Sequence, residues 1–75
     1  MAGQPVALWE LQRPAHNAVI CWMEELGGGP VKVRLTGCFP EPLTSCFDSP
    51  EMALQWATDL QNVLTRAGWR QVMTP

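Results

Sequence analysis

The chain has no tyrosine, a single histidine and only 16% charged residues, well under the roughly 25% of an average globular protein. So few charges leave little surface for pure solvation, which favours burial by association. The five lysines and arginines are outnumbered by seven acids, giving a net charge of −2. Domains that track a phosphate backbone usually carry a clustered basic surplus, so nucleic acid is disfavoured as the main partner. No apolar stretch approaches the ~18 residues of a membrane span. The opening Met-Ala-Gly-Gln-Pro also lacks a basic region followed by an apolar run. A soluble, cytoplasmic protein with no membrane partner is the expectation. Cysteine is sparse and odd in number: Cys21, Cys38 and Cys46 match no zinc spacing and suit no secreted disulfide scaffold, so reduced thiols are expected.

What remains is apolar: 47% of 75 residues, enough for one domain over residues 1–75 and near the size where a single core barely suffices. Residues 6–11 form a short apolar run closed by Pro14, the pattern of a first strand and a turn. Residues 18–25 carry Val19, Ile20, Cys21, Trp22 and Met23 without a break, and Gly27, Gly28 and Gly29 then supply the positive φ of a tight reversal. Over residues 31–36 Val31, Val33 and Leu35 alternate with Lys32, Arg34 and Thr36, the period of a half-buried strand. Pro40 and Pro42 interrupt any ladder before a fourth short strand at 43–47.

The helix is marked at both ends. Asp48 or Ser49 caps it, Pro50 fits the first turn and Glu51 complements the dipole. Ala53, Trp56, Ala57, Leu60, Val63, Leu64 and Ala67 recur at three- and four-residue steps as one apolar stripe. Gly68 is placed for a left-handed cap, with Trp69 folding back on Leu64. The predicted fold is α+β: an antiparallel meander of three or four strands with one C-terminal amphipathic helix packed on one face.

Folding the second hairpin about Gly28 pairs Met23 with Val33, Cys21 with Leu35, Trp22 with Arg34 and Glu24 with Lys32. A first hairpin centred on Pro14 pairs Ala7 with Cys21, Trp9 with Val19, Val6 with Trp22 and Leu8 with Ile20. One face is then apolar throughout (Ala7, Trp9, Val19, Cys21, Met23, Val33, Leu35 and Phe47) and receives the helix. The other still holds Val6, Leu8, Ile20 and Trp22 beside Glu10, Glu24, Lys32 and Arg34. An aromatic and an arginine inside an apolar patch match the composition of an interaction hot spot. Leu8, Ile20, Trp22, Lys32 and Arg34 are the candidate interface residues. The competing reading has the tail, residues 70–73, or the N-terminal arm covering this face.

Candidate chemistry is thin. His16 could act as base for Cys21, but an inward, apolar cysteine is inert and a turn histidine is ordinarily solvated. Cys38 and Cys46 flank Pro40-Glu41-Pro42 symmetrically, at positions that would oppose each other in a tight hairpin, with reduced thiols the favoured state. The glycine run is followed by Pro30 and a strand, whereas phosphate loops open a helix. Glu24 and Glu25 point to opposite faces of a strand and cannot act jointly. No catalytic residue, cofactor or metal site is assigned. The expectation is a non-enzymatic interaction module that self-associates, most simply as a homodimer, through the helix-free face, with another protein as the other form of partner. Two alternatives use the same face: a single-stranded nucleic-acid binder based on Trp22, Lys32 and Arg34, and a small-ligand or peptide site.

Overall fold

A computed structural model describes residues 4–37 and 41–72. Five strands and one helix follow in the order β1 (Val6–Gln12), β2 (Val19–Glu25), β3 (Val31–Thr36), β4 (Leu43–Phe47), α1 (Pro50–Arg66) and β5 (Arg70–Gln71). All neighbouring strands are antiparallel, in the spatial order β4-β3-β2-β1-β5. The class is α+β, with one strand more than the sequence predicts. Arg70 and Gln71 pair with Gln12 and Leu11, and the Val72 amide donates to the Glu10 carbonyl at 2.9 Å. The tail up to Val72 therefore extends the sheet at its edge. Expectation had offered it as a cover for the open face. Gly68 is the reason: it turns the chain out of the helix and delivers Arg70 beside β1.

The β2–β3 hairpin has the register read from the sequence, including Trp22 opposite Arg34 and Glu24 opposite Lys32. Leu26 N–H to Pro30 closes the loop at 3.0 Å, while Gly27, Gly28 and Gly29 all take positive φ. The β1–β2 register differs from expectation. Leu11 stands opposite Val19 and Trp9 opposite Cys21, a reversal centred on Ala15, one position beyond Pro14, which shifts each partner by two. Proline precedes a left-handed residue in one standard turn, and here Pro14 is followed by Ala15 at φ 66, with His16 N–H bonding to the Arg13 carbonyl at 3.1 Å. A two-residue shift preserves the faces, so Trp9, Leu11, Val19 and Cys21 all point inward.

Beyond Trp9 the faces do change. Ala7 pairs with Trp22 and Val6 with Met23, because Leu8 is an extra residue in a β-bulge. Strict alternation would have put Leu8 in solvent; the bulge lets it pack against the buried cluster. The open face thus loses Val6 and Leu8 and gains Ala7.

The core joins Trp9, Leu11, Val19, Cys21, Val31, Val33 and Leu35 of the sheet to Ala53, Ala57 and Trp69, all buried. Small alanines let the helix approach closely, and the Trp9 indole donates to the Ala57 carbonyl at 3.1 Å. Trp56, Leu60 and Leu64 fill the margin half-buried. Val63, expected in the stripe, is 59% exposed, and Ala67 is exposed as the C-cap, so the buried stripe is narrower than the sequence pattern. Ser49 is the N-cap, accepting from the Met52 amide at 3.3 Å. At the other end Trp69 N–H bonds to Leu64 and Gly68 N–H to Thr65, the paired bonds of a Schellman cap.

In the β3–β4 hairpin Cys46 stands opposite Lys32. This register does not set Cys46 against Cys38, which lies outside the described residues. No described helix is long and apolar enough to cross a membrane.

Candidate functional site

Cross-strand pairing fixes what the helix-free face carries. One row runs Ala7, Trp22, Arg34, Thr44 across β1 to β4; the next runs Glu24, Lys32, Cys46; on the other side Glu10, Ile20 and Thr36 align. Strand alternation alone sends these side chains to one side. Their centre is a hollow of about 340 Å³ lined, among the described residues, by Pro5, Trp22, Glu24, Lys32, Arg34 and Thr36. Trp22 is its apolar wall. The half-buried indole donates to Thr36 Oγ1 at 3.1 Å, which ties the ring on β2 to β3. Lys32 Nζ lies 3.4 Å from Glu24 Oε1, each side chain 26% exposed. Such a pair contributes about 1 kcal/mol at most and mainly neutralises both charges locally. Arg34 is exposed and Glu10 half-buried, and neither has a salt-bridge partner among the described residues.

Of the five candidate residues, Trp22, Lys32 and Arg34 meet in this hollow. Ile20 shares the face one row away, and Leu8 is drawn out of the face by the bulge to pack on the core. Sequence reasoning missed two contributors. Thr36 is diagonal to Trp22 in the predicted register, within reach of a long side chain, and so was available to it. Pro5 belongs to the N-terminal arm, which the sequence had offered as a cover for this face, and it lines one side of the hollow.

Other chemistry-bearing groups are dispersed. Cys21 is wholly buried in the core, and loss of water around its thiolate pushes the thiol up to about 11. His16 is exposed in the turn, its Nδ1 2.9 Å from the Pro14 carbonyl and its ring 5.7 Å from that of Trp69. A solvent-facing imidazole and a thiol sealed within the core cannot act together on a substrate. Among the described residues no three His, Cys, Asp or Glu groups converge as a metal site. Arg13 and Arg70 line a separate hollow with His16 beside the first turn, away from Trp22. Four of the five cations are therefore split between two hollows, with Arg66 in the last turn of the helix, and they form no continuous track.

Comparison with protein-family models, curated proteins and solved structures gave no match to this chain.

Proposed function

We propose that this protein is a non-enzymatic interaction module, acting in a reducing cytoplasmic setting, that self-associates as a two-fold dimer through its helix-free sheet face. The observation carrying this reading is the Trp22 hollow: a half-buried indole beside Arg34, which has no salt-bridge partner among the described residues, on a face that the tail as far as Val72 does not cover because it joins the sheet edge. The same face carries Glu10, also without a salt-bridge partner among the described residues, so a second copy could offer a carboxylate to each Arg34 and receive one in return. Reciprocal contacts of that kind are what a two-fold interface requires. Aromatic and arginine anchors are also the residues that most often dominate interface energies.

Single-stranded nucleic acid would use Trp22 for stacking and Lys32 and Arg34 for phosphates. That reading is weakened by Glu24, which occupies Lys32, and by the net charge of −2. Light scattering across a wide concentration range, at low and high salt, separates the two. Self-association should persist in both salts, and Trp22→Glu should halve the assembled mass while the far-ultraviolet circular dichroism stays folded. An unchanged mass for Trp22→Glu would refute the face. Tight binding of a single-stranded oligonucleotide that falls steeply with salt would favour the nucleic-acid reading, and a monomer in both salts would direct attention to a peptide or small ligand in the hollow.

A further inference from the structure

The outer side of β4 has no strand beside it among the described residues. Its sequence, Leu-Thr-Ser-Cys-Phe, contains neither charge nor proline. Edge strands normally carry such residues, or are very short, because unpaired backbone amides and carbonyls otherwise template pairing with another chain. The opposite edge follows that rule: β5 has two residues, one of them Arg70. The helix side of β4 is equally unfinished. Leu43 is 50% exposed, and the Phe47 ring leans on Trp56 with centroids 5.7 Å apart. Met52 lies four residues before Trp56 and Val63 seven after, so both share its stripe; they are 54% and 59% exposed. An uncharged edge with an apolar lip runs along this side of the molecule.

We propose that β4 is an interface for a second copy of this chain, the two β4 strands pairing antiparallel in register about Ser45. The strand is complementary to itself in that register. Leu43 falls opposite Phe47 of the second copy on the helix side, and Thr44 opposite Cys46 on the other, so apolar meets apolar and small polar meets thiol. No charge lies within the paired segments; the acids flanking them, Glu41 and Asp48, fall opposite the uncharged Ser49 and Pro42 of the second copy. The two-fold axis is perpendicular to the sheet, which keeps both helices on one side and both Trp22 faces on the other. This contact is distinct from the face-to-face dimer proposed above and compatible with it. Together they make a tetramer of crossed two-fold axes, the usual assembly after the simple dimer.

The test uses the full chain and reads native mass against concentration. The unaltered protein should reach a tetramer, and Trp22→Glu should reduce it to a dimer held by β4 alone. Adding T44E and C46E to Trp22→Glu sets like charges opposite each other twice per interface, while within each copy they oppose Arg34 and Lys32, so the hairpin itself is not repelled; the dimer should weaken about tenfold or more. Replacing C46E by C46K in the same background sets opposite charges across the interface and should restore the dimer, even though C46K meets Lys32 within its own copy. A C46K combination that dimerises no better than the C46E one would overturn the register, and a Trp22→Glu protein monomeric at every concentration would overturn the edge contact while leaving the face reading intact. A dimer that ignores Trp22→Glu but is split by T44E with C46E would uphold the edge and refute the face.

Discussion

Leu11→Ala is the sharpest probe of how β1 is seated. Leu11 is 0% exposed and pairs with Val19 at the centre of the inner face. Removing three carbon groups at about 0.8 kcal/mol each costs roughly 2.4 kcal/mol, and the unfilled cavity brings the total to about 3–4 kcal/mol. A chain of 75 residues has about 4–11 kcal/mol in all, so the variant should lie near the limit of folding. The melting temperature should fall by about 12–30 °C. Urea and thermal unfolding followed by circular dichroism, at one protein concentration, would measure it, since self-association adds stability by mass action. Val6, at 58% exposure, is the control: Val6→Ala should stay within about 0.5 kcal/mol. A hairpin centred on Pro14 would place Leu11 opposite Asn17 at the mouth of the turn, where truncation costs little. A loss below about 1.5 kcal/mol for Leu11→Ala would therefore refute the observed register.

Three further outcomes follow from single residues. Gly37 sits at φ 127, and an added Cβ would lie 1.7 Å from the Ala18 carbonyl oxygen; Gly37→Ala should cost more than about 3 kcal/mol, read as loss of a cooperative urea transition. The Cys21 thiol titrates near 11 in the folded chain against 9.0 for the free group, so the unfolded state loses its proton first. Stability should be full below about pH 9 and fall between pH 9 and 11 by about 2–3 kcal/mol, and Cys21→Ala should abolish that slope. Tyrosine is absent, and arginine aside, Lys32, Cys38 and Cys46 are the only other side chains of alkaline-titrating type, so the comparison with Cys21→Ala isolates the buried thiol. Ser49→Ala removes the side-chain acceptor of the Met52 amide and should cost about 1 kcal/mol in the same urea assay.

Those residues also mark where sequence is informative. The β2–β3 register was legible because three independent constraints agree: the positive φ of the glycines, alternation in β3, and the opposed charges of Glu24 and Lys32. The helix was legible because Ser49, Pro50 and Gly68 punctuate it. The first hairpin was not. Pro14 signals a turn but not which residue takes the left-handed conformation, and Ala15 is an uncommon occupant. The bulge at Leu8 has no local signature, since its cause is tertiary: a leucine that packs on the core in place of facing water. β5 was missed because two residues carry no periodicity, and their pairing is imposed by the exit angle of the helix cap.

The bulge bears on function as well as fold. With Val6 and Leu8 on the open face, self-association would rest on an apolar patch and be nearly indifferent to salt. Without them the face is Trp22 and Ile20 set among Arg34, Lys32, Glu24 and Glu10, so charge pairing must supply more of the specificity. Rim charges of this kind fix orientation and association rate more than affinity. The proposed face contact should then be modest and concentration-dependent, with salt screening its Arg34–Glu10 pairs but taking nothing from Lys32 and Glu24, which are paired within one copy. Of the apolar residues that sequence assigned to the sheet face, Leu8 packs on the core and Val6 remains exposed on β1, while further exposed apolar side chains, Leu43 and Met52 among them, lie on or just after β4. The edge therefore carries apolar surface of its own. There, backbone hydrogen bonding can add to it, and the edge should accordingly be the stronger of the two contacts.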